Sequence, residues 1–382
     1  MSLIGWPFLT LVVAVTVAAF VVAVVLWPAM SRRSAGNIAA RIGTLTLVSG
    51  LVLITAATQL NAQFLFFADW SDLQGALNGT VTKTALSGGA RAAEAAKGSA
   101  SGAAAPLGPL VRSLPPGGRQ DGDVITYSVK GPLSGIVGTV VVKLPPGYLD
   151  PGSATTRYPV LETFQGYPST PRQWIQTMHL GDVMAQQVDA KRMRSALIVS
   201  PQVEVPPGVD TECVNGGQGS PQLETWLARD VPDWVARSFR VPADRSSWAT
   251  IGLSTGGWCA AMVAMLHPAQ YGAAIVMGGY FRPEFSPLYE PYAPGSALAA
   301  RYNLVTLAVH HPPPVALWVE TSHSDPVSYS STRALLKAAR APIAVDAVVL
   351  QHAGHRIGLW KGLLPQSLSW LGTNLSGFRQ TA

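Results

Sequence analysis

Two kinds of hydrophobic pattern divide this chain. Near the N-terminus, two uncharged and mostly apolar runs cover Leu3–Trp27 and Thr44–Ala68. Each is long enough to cross a bilayer core of about 30 Å at about 1.5 Å of helical rise per residue. The first run lacks the basic segment of a signal peptide and is longer than the apolar part of one. The pattern therefore predicts two transmembrane helices.

Beyond residue 123 the apolar runs are shorter, and a β-rich start gives way to alternating strand and helix patterns. This order predicts an α/β domain with a mostly parallel central sheet flanked by helices. Strands are predicted at Val124–Val129, Gly135–Lys143, Tyr158–Thr163, Ala196–Gln202, Ser247–Leu253, Ala273–Met277, Val315–Glu320 and Val345–Leu350. Helices are predicted at Arg172–Gln187, Gln222–Phe239, Thr255–Leu266, Tyr329–Ala339 and Leu359–Trp370.

Between these two regions, residues 74–123 are dominated by alanine, glycine, serine and proline. Such a segment buries too little apolar surface to fold alone, so it reads as a linker. The predicted organisation is a two-helix anchor over 1–73, a linker over 74–123 and a folded domain over 124–382. Within that domain Tyr280–Pro314, rich in proline and tyrosine, is the expected substrate-facing cap.

The candidate chemistry centres on Ser254, which lies in Gly252-Leu-Ser-Thr-Gly256 between a predicted strand and a predicted helix. Since 37 of the 382 residues are glycine, the five letters alone carry little weight. The predicted strand before the motif and the predicted helix after it make the motif significant. A serine at such a strand-to-helix elbow has an exposed hydroxyl next to the first helix amides.

A serine nucleophile needs a base and a third group that orients the base. Asp325 follows the strand predicted to end at Glu320, and His355 follows the strand predicted to end at Leu350, which gives the order nucleophile, acid, histidine. Asp325 is favoured over Glu320 because it lies in the loop, and His355 over His352 because it follows Gly354 beyond the strand. His310, His311 and His323 are predicted to be surface or lid residues.

Two backbone amides are the candidates for an oxyanion hole. One is the N–H of Thr255, which follows the nucleophile, and the other is the N–H of Tyr167, in the turn after the third predicted strand. An ordinary strand-to-helix turn is the alternative for Tyr167. No metal or organic cofactor is implied.

Charge and cysteine content bear on location. Arg32, Arg33 and Arg41 lie between or near the apolar runs, whereas Asp69 and Asp72 follow the second, so the positive-inside rule places the short loop in the cytoplasm and both termini outside. The net charge of +6 is scattered, which does not favour nucleic acid as a partner. In an oxidising exterior Cys213 and Cys259 could form a disulfide; two buried free thiols are the alternative.

The stretch Asp123–Leu375 resembles the esterase D-like branch of the α/β-hydrolases, which includes the secreted antigen 85 mycolyltransferases. Carrying the resemblance are Gly252–Gly257, the Gln165-Gly166-Tyr167 turn, and His355 with Trp360 five residues later. It implies acyl-ester chemistry with an acyl-enzyme on Ser254. Two features depart from those mycolyltransferases, namely the retained membrane spans and Asp325 in place of their glutamate.

Together these features predict an outward-facing serine esterase, anchored in the plasma membrane of a bacterial cell envelope and acting on an ester or lipid-like substrate. An acyltransferase that moves the acyl group to an envelope alcohol or sugar is the alternative. A non-catalytic envelope-binding protein on the same fold is the third hypothesis. The sequence leaves open the acyl group, the acceptor and the oligomeric state.

Overall fold

The computed structural model describes residues 2–78, 83–86, 113–286 and 289–380. The chain forms two compact units. One groups the N-terminal region with two short loops, Ser322–Asp325 and Leu350–Arg356, and the other holds the remainder of the α/β domain.

In the N-terminal unit, helices α1 (Trp6–Leu26) and α2 (Ala35–Phe64) are long and apolar enough to cross a membrane. They are candidate spans, in agreement with the predicted number. They contact each other through the hydroxyls of Thr16 and Thr55, 2.8 Å apart. The second helix begins at Ala35, before the predicted run, because the side chain of Ser34 accepts the N–H of Asn37 and caps it.

The end of α2 also differs from the sequence prediction. Leu65 adopts a left-handed conformation with φ of 56°, which ends the helix before Ala68. A short helix α3 (Trp70–Leu77) follows, and its start is capped by the Asp69 carboxylate, which accepts the N–H of Asp72 at 2.8 Å. This helix crosses the boundary expected at residue 73.

The described strands of the α/β unit are β1 Lys83–Leu86, β2 Arg119–Asp121, β3 Val124–Lys130, β4 Val137–Lys143, β5 Val160–Phe164, β6 Leu197–Pro201, β7 Trp248–Leu253, β8 Ala273–Met277, β9 Ala316–Ser322 and β10 Ala344–Leu350. They form one ten-stranded sheet in the order β1-β10-β9-β8-β7-β5-β6-β4-β3-β2. Neighbours in the series β6-β5-β7-β8-β9 are parallel, and neighbours in the series β2-β3-β4-β6 are antiparallel.

The central strands are buried on both faces, which explains their nearly continuous apolar sequences. The described α-helices of this unit are Gln173–Gln176, Leu180–Asp189, Leu223–Thr225, Val231–Ser238, Thr255–Leu266, Ala297–Arg301, Leu304–His310, Tyr329–Ala338 and Ile357–Asn374. The mostly parallel α/β-hydrolase-type sheet predicted from the sequence is confirmed.

Two predicted helices are each divided. The one expected over Arg172–Gln187 breaks where His179 takes φ of 52°. The one expected over Gln222–Phe239 contains a π-helical turn, Trp226–Asp230, just before Pro232, which has no N–H to continue an α-helical ladder.

Two strands occur where the sequence predicts a linker. Strands β1 and β2 both fall within residues 74–123 and lie at the two edges of the sheet. Residues 79–82 and 87–112 of that segment are outside the described part of the chain. The linker therefore stays a prediction there.

Candidate active site

Ser254 lies between β7 and the helix Thr255–Leu266 with φ of 55° and ψ of −127°, a backbone conformation rare for a residue with a side chain. Glycines make this elbow sterically feasible. A Cβ at Gly252 would overlap the carbonyl of Gly256, and a Cβ at Gly256 would overlap the carbonyl oxygen of Phe164. The Ser254 amide donates to the carbonyl oxygen of Met277 at 2.9 Å, which ties the elbow to β8.

The turn expected to supply an oxyanion donor lies against this elbow. Strands β5 and β7 are parallel neighbours, with Phe164 paired to Gly252. A Cβ at Gly166 would lie 2.8 Å from Leu253 Cδ1 and 3.4 Å from Ser254 Cβ. The structure thus brings the backbone of the Gln165–Tyr167 turn next to Ser254.

The amides in this region have different partners. The Gly166 amide donates to Gln173 Oε1 at 3.1 Å. The Thr255 amide is the first of its helix, where an N–H has no acceptor within the helix itself. Tyr167 is 41% exposed, and its hydroxyl donates to the carbonyl oxygen of Gly208 at 3.0 Å. An oxyanion hole built from the Thr255 and Tyr167 amides stays a prediction.

Asp325 and His355 form a close pair in the N-terminal unit. Asp325 Oδ2 lies 3.0 Å from His355 Nδ1, and their side chains are 4% and 10% exposed. A carboxylate at Nδ1 holds the imidazole so that Nε2 is available for proton transfer. The sequence prediction paired these two residues as acid and base, and the structure places them within hydrogen-bond distance.

The two loops that carry this pair are joined by backbone and side-chain bonds. The His323 amide donates to the carbonyl oxygen of Leu350 at 2.9 Å, and the Ala353 amide donates to Ser322 Oγ at 3.1 Å. The Asp325 amide donates to the carbonyl oxygen of Ser322 at 3.0 Å. The loops therefore hold each other in place around the pair.

The alternative acid and histidine have other partners. Glu320 lies inside β9 rather than at its end, is 1% exposed, and accepts the indole N–H of Trp360 at 3.0 Å. His352 is exposed, with Nδ1 at 3.3 Å from Asp69 Oδ2. The Trp360 that carried part of the sequence resemblance thus anchors Glu320.

A buried polar cluster adjoins Thr255, and sequence patterns gave no signal of it. Glu212 Oε1 accepts the hydroxyl of Tyr280 at 2.6 Å, and that hydroxyl lies 3.3 Å from Thr255 Oγ1. Asp210 Oδ2 lies 3.4 Å from the same threonine oxygen. Burial raises the pKa of Glu212 well above its ordinary value, and the charge of Asp210 raises it further. The Glu212 carboxyl is thus held toward its neutral form.

The predicted disulfide between Cys213 and Cys259 is confirmed, with Cα atoms 5.7 Å apart. Both cysteines are buried. The bond fastens the loop that carries Glu212 to the helix that begins next to Ser254.

The expected cap region contains a cavity of about 560 Å³. Its lining includes Arg282, Phe285, Tyr292 and Asn303. Residues 287–288 are outside the described part of the chain. The cavity therefore combines aromatic surface with a few polar groups, as small-molecule sites do.

Glu224 connects the cap region to the α/β unit. Its carboxylate accepts hydrogen bonds from His267, Arg301 and Tyr302, with the Tyr302 hydroxyl at 2.6 Å. Burial acts to raise the pKa of Glu224, but these hydrogen bonds lower it to about 2. The Glu224 carboxylate is therefore held in its ionised form, which these three hydrogen-bond donors stabilise.

This fold and elbow define an esterase of the α/β-hydrolase type. The sequence matches the family described as "Putative esterase" over residues 137–360, more than half of the 382-residue chain. The chain belongs to that family. Among solved structures, it is similar to an S-formylglutathione hydrolase from Agrobacterium tumefaciens with a TM-score of 0.56 and 14% sequence identity, covering 68% of this chain and 98% of that one.

Similarity to curated proteins is confined to shorter segments. An uncharacterised protein of Corynebacterium glutamicum is 30% identical over 141 residues, 37% of this chain and 32% of that protein. The MPT51 antigen of Mycobacterium leprae is 35% identical over 65 residues, 17% of this chain and 21% of the antigen. The matched segments thus span about a third and about a fifth of these relatives.

Proposed function

We propose that this chain is a serine esterase that uses Ser254, His355 and Asp325 and forms an acyl-enzyme on Ser254. The observation that carries the proposal is the backbone of Ser254, held at positive φ on a glycine-bounded elbow at the start of a helix. The Asp325–His355 contact and membership of the esterase family support it.

In the first step, His355 Nε2 takes the proton of the Ser254 hydroxyl while Oγ attacks the ester carbonyl carbon. The oxygen of the tetrahedral intermediate becomes negative, and the amides of Thr255 and Tyr167 donate to it. Such a donor contributes about 10²–10³-fold in rate. The carbon–oxygen bond to the alcohol then breaks, and the imidazolium returns its proton to the leaving oxygen.

In the second step, the same histidine takes a proton from water, and the resulting hydroxide attacks the acyl-enzyme. The resulting tetrahedral intermediate then breaks its bond to Ser254 Oγ and releases the carboxylic acid. The imidazolium returns its proton to Oγ, which restores the Ser254 hydroxyl. Throughout, Asp325 keeps Nδ1 protonated and stabilises the imidazolium. If an alcohol or a sugar replaced the water, the same intermediate would make the enzyme an acyltransferase.

We place the protein in the plasma membrane of a bacterial cell envelope, with α1 and α2 as spans and the α/β unit outside. Arg32 and Arg33 lie between the spans, and Arg41 lies 5.7 Å from the ring of Trp27 near the same end. The Cys213–Cys259 disulfide supports an oxidising compartment. A reporter fused after Ala382 should be active only outside the cytoplasm; activity confined to the cytoplasm would contradict this topology.

The catalytic proposal is tested with the full-length protein in detergent and a p-nitrophenyl acyl ester. Wild type should turn over the ester and be labelled by a fluorophosphonate probe, and Ser254→Ala should do neither. The matched control is Ser376→Ala, because Ser376 is an exposed serine whose hydroxyl donates to Ser246 Oγ. Folded wild-type protein that takes no label would instead favour a non-catalytic envelope-binding protein.

Hydrolysis and transfer are separated by adding glycerol or a sugar to the same reaction. An esterase releases the free acid in proportion to p-nitrophenol, whereas a transferase forms the new ester at the expense of the acid. A new ester as the main product would replace the hydrolase by the acyltransferase and leave the Ser254 intermediate unchanged.

A further inference from the structure

From the end of α2 into the first turn of α3 the chain forms a hydrogen-bonded segment, Leu65–Asp72, called here the juxtamembrane strap. The Asn61 side chain in the last turn of α2 binds it twice, accepting the Phe67 amide at 2.8 Å and donating to the Phe67 carbonyl at 2.9 Å. The Ala68 carbonyl accepts the hydroxyl of Ser2 at 3.0 Å and the amide of Leu3 at 3.3 Å. The residues just before α1 and the last turn of α2 therefore hold the strap.

The other side of the strap contacts the loop that carries His355. The His355 amide donates to the Leu65 carbonyl at 2.6 Å. Gly354 packs on the strap so closely that a Cβ there would overlap the carbonyl of Phe66. The backbone on the N-terminal side of the His355 Cα is thus held against the strap.

A buried ion pair strengthens this contact. Arg356, the residue after His355, donates to Asp72 Oδ1 at 2.6 Å and to the Phe66 carbonyl at 3.2 Å. The Asp72 and Arg356 side chains are only 1% and 12% exposed. Asp72 also accepts the Ala68 amide at 3.0 Å. A pair this buried is screened little by water and holds its geometry.

We propose that the juxtamembrane strap is a positioning element for His355, with Asp72 and Arg356 as positioning residues. The inference rests on the proposed function, because it assigns His355 as the base. The N-terminal hairpin, formed by α1, α2 and the residues just before α1, then does more than tether the enzyme. It also holds the strap that positions the base.

The expected effect follows from the geometry of proton transfer. A misplacement of about 1 Å at a catalytic group can cost about 100-fold in rate. Asp72→Asn and Arg356→Gln should therefore lower kcat about 10- to 100-fold with KM nearly unchanged, because this ion pair acts on the loop that carries the base. Arg356→Lys keeps the charge and should restore part of the rate.

The experiment uses full-length protein in detergent, a p-nitrophenyl acyl ester for kcat and KM, and a fluorophosphonate probe. Labelling gives two readouts, the final stoichiometry and the rate constant. A positioning role slows labelling and lowers kcat per labelled site, whereas partial unfolding lowers only the stoichiometry. The control is Asp123→Asn, which removes an exposed ion pair with Lys143 in the α/β unit and should leave both readouts unchanged.

A further variant tests the positioning role even if the ion-pair variants fail to fold. Gly354→Ala leaves every charge in place and should give the same kinetic defect by displacing the loop from Phe66. The inference is overturned if these variants keep the wild-type kcat per labelled site, or if activity falls only with stoichiometry. If wild type shows no Ser254-dependent turnover, the proposed function fails first and this inference falls with it.

Discussion

Asp325 Oδ2 lies 3.0 Å from His355 Nδ1, although the two residues come from separate loops after β9 and β10. Glu320, the other carboxylate of the same region, accepts the indole N–H of Trp360 from inside β9. The two acids therefore have different partners, the imidazole of His355 for Asp325 and the indole of Trp360 for Glu320.

Asp325→Asn should lower kcat about 10³- to 10⁴-fold, because an amide no longer holds the imidazole in the required tautomer or stabilises its charged form. Glu320→Gln should have a much smaller effect, since an amide oxygen can still accept the indole N–H. Steady-state hydrolysis of a p-nitrophenyl ester by the two variants measures the difference. The reverse ranking would assign the acid role to Glu320.

Gly252→Ala should disrupt the elbow, because the added Cβ meets the Gly256 backbone and no side chain can rotate away. We expect a loss of about 1–3 kcal/mol or more in the free energy of unfolding, together with loss of fluorophosphonate labelling. Gly362→Ala is the matched control. It lies in the helix Ile357–Asn374 with open space around it and should gain about 0.5–1 kcal/mol. A folded Gly252→Ala variant that is fully labelled would show that Ser254 does not need this elbow geometry to react.

Removal of the Cys213–Cys259 disulfide should destabilise the α/β unit. The cysteines are separated by 46 positions, and closing a loop of that length corresponds to about 4 kcal/mol at most in the chain-entropy description. Urea unfolding followed by tryptophan fluorescence, with and without dithiothreitol, measures the loss. The double variant Cys213→Ser/Cys259→Ser should match reduced wild type and should not respond to the reductant.

Glu162 should make stability depend on pH. Burial raises its pKa to about 8, against a hydrogen bond from Tyr271 that lowers it. As pH rises above about 4.5 the unfolded state loses this proton while the folded state keeps it, so stability falls until about pH 8, by up to about 1.4 kcal/mol per pH unit. Glu162→Gln should reduce the difference in unfolding free energy between pH 5 and pH 8. An unchanged difference would assign it to other groups.

How far the sequence predicts this molecule depends on the range of the interaction concerned. Strand β8 has its predicted bounds, because a buried parallel strand is a continuous apolar run between breaks. Ser254 could be found since its elbow is local in sequence. The break at His179 could not be found, because its left-handed conformation falls on a residue other than glycine.

Contacts between positions far apart in the sequence could not be predicted from hydrophobic periodicity or from motifs. Arg356 and Asp72 are ordinary charged residues 284 positions apart, and neither motif nor periodicity links them. Glu212 likewise accepts a hydrogen bond from Tyr280, which comes from a different segment. The sequence could nominate Asp325 and His355 only because a known order of catalytic residues gave them a context.

The absence of a side chain at residue 354 leaves room for the carbonyl of Phe66 in the neighbouring segment. This close fit makes the N-terminal hairpin a matched component rather than an exchangeable one. Replacing the N-terminal helices by an unrelated pair would leave Gly354 and Arg356 facing a surface not shaped for them. Substitutions at the hairpin's outer end and in the histidine loop should therefore be selected together.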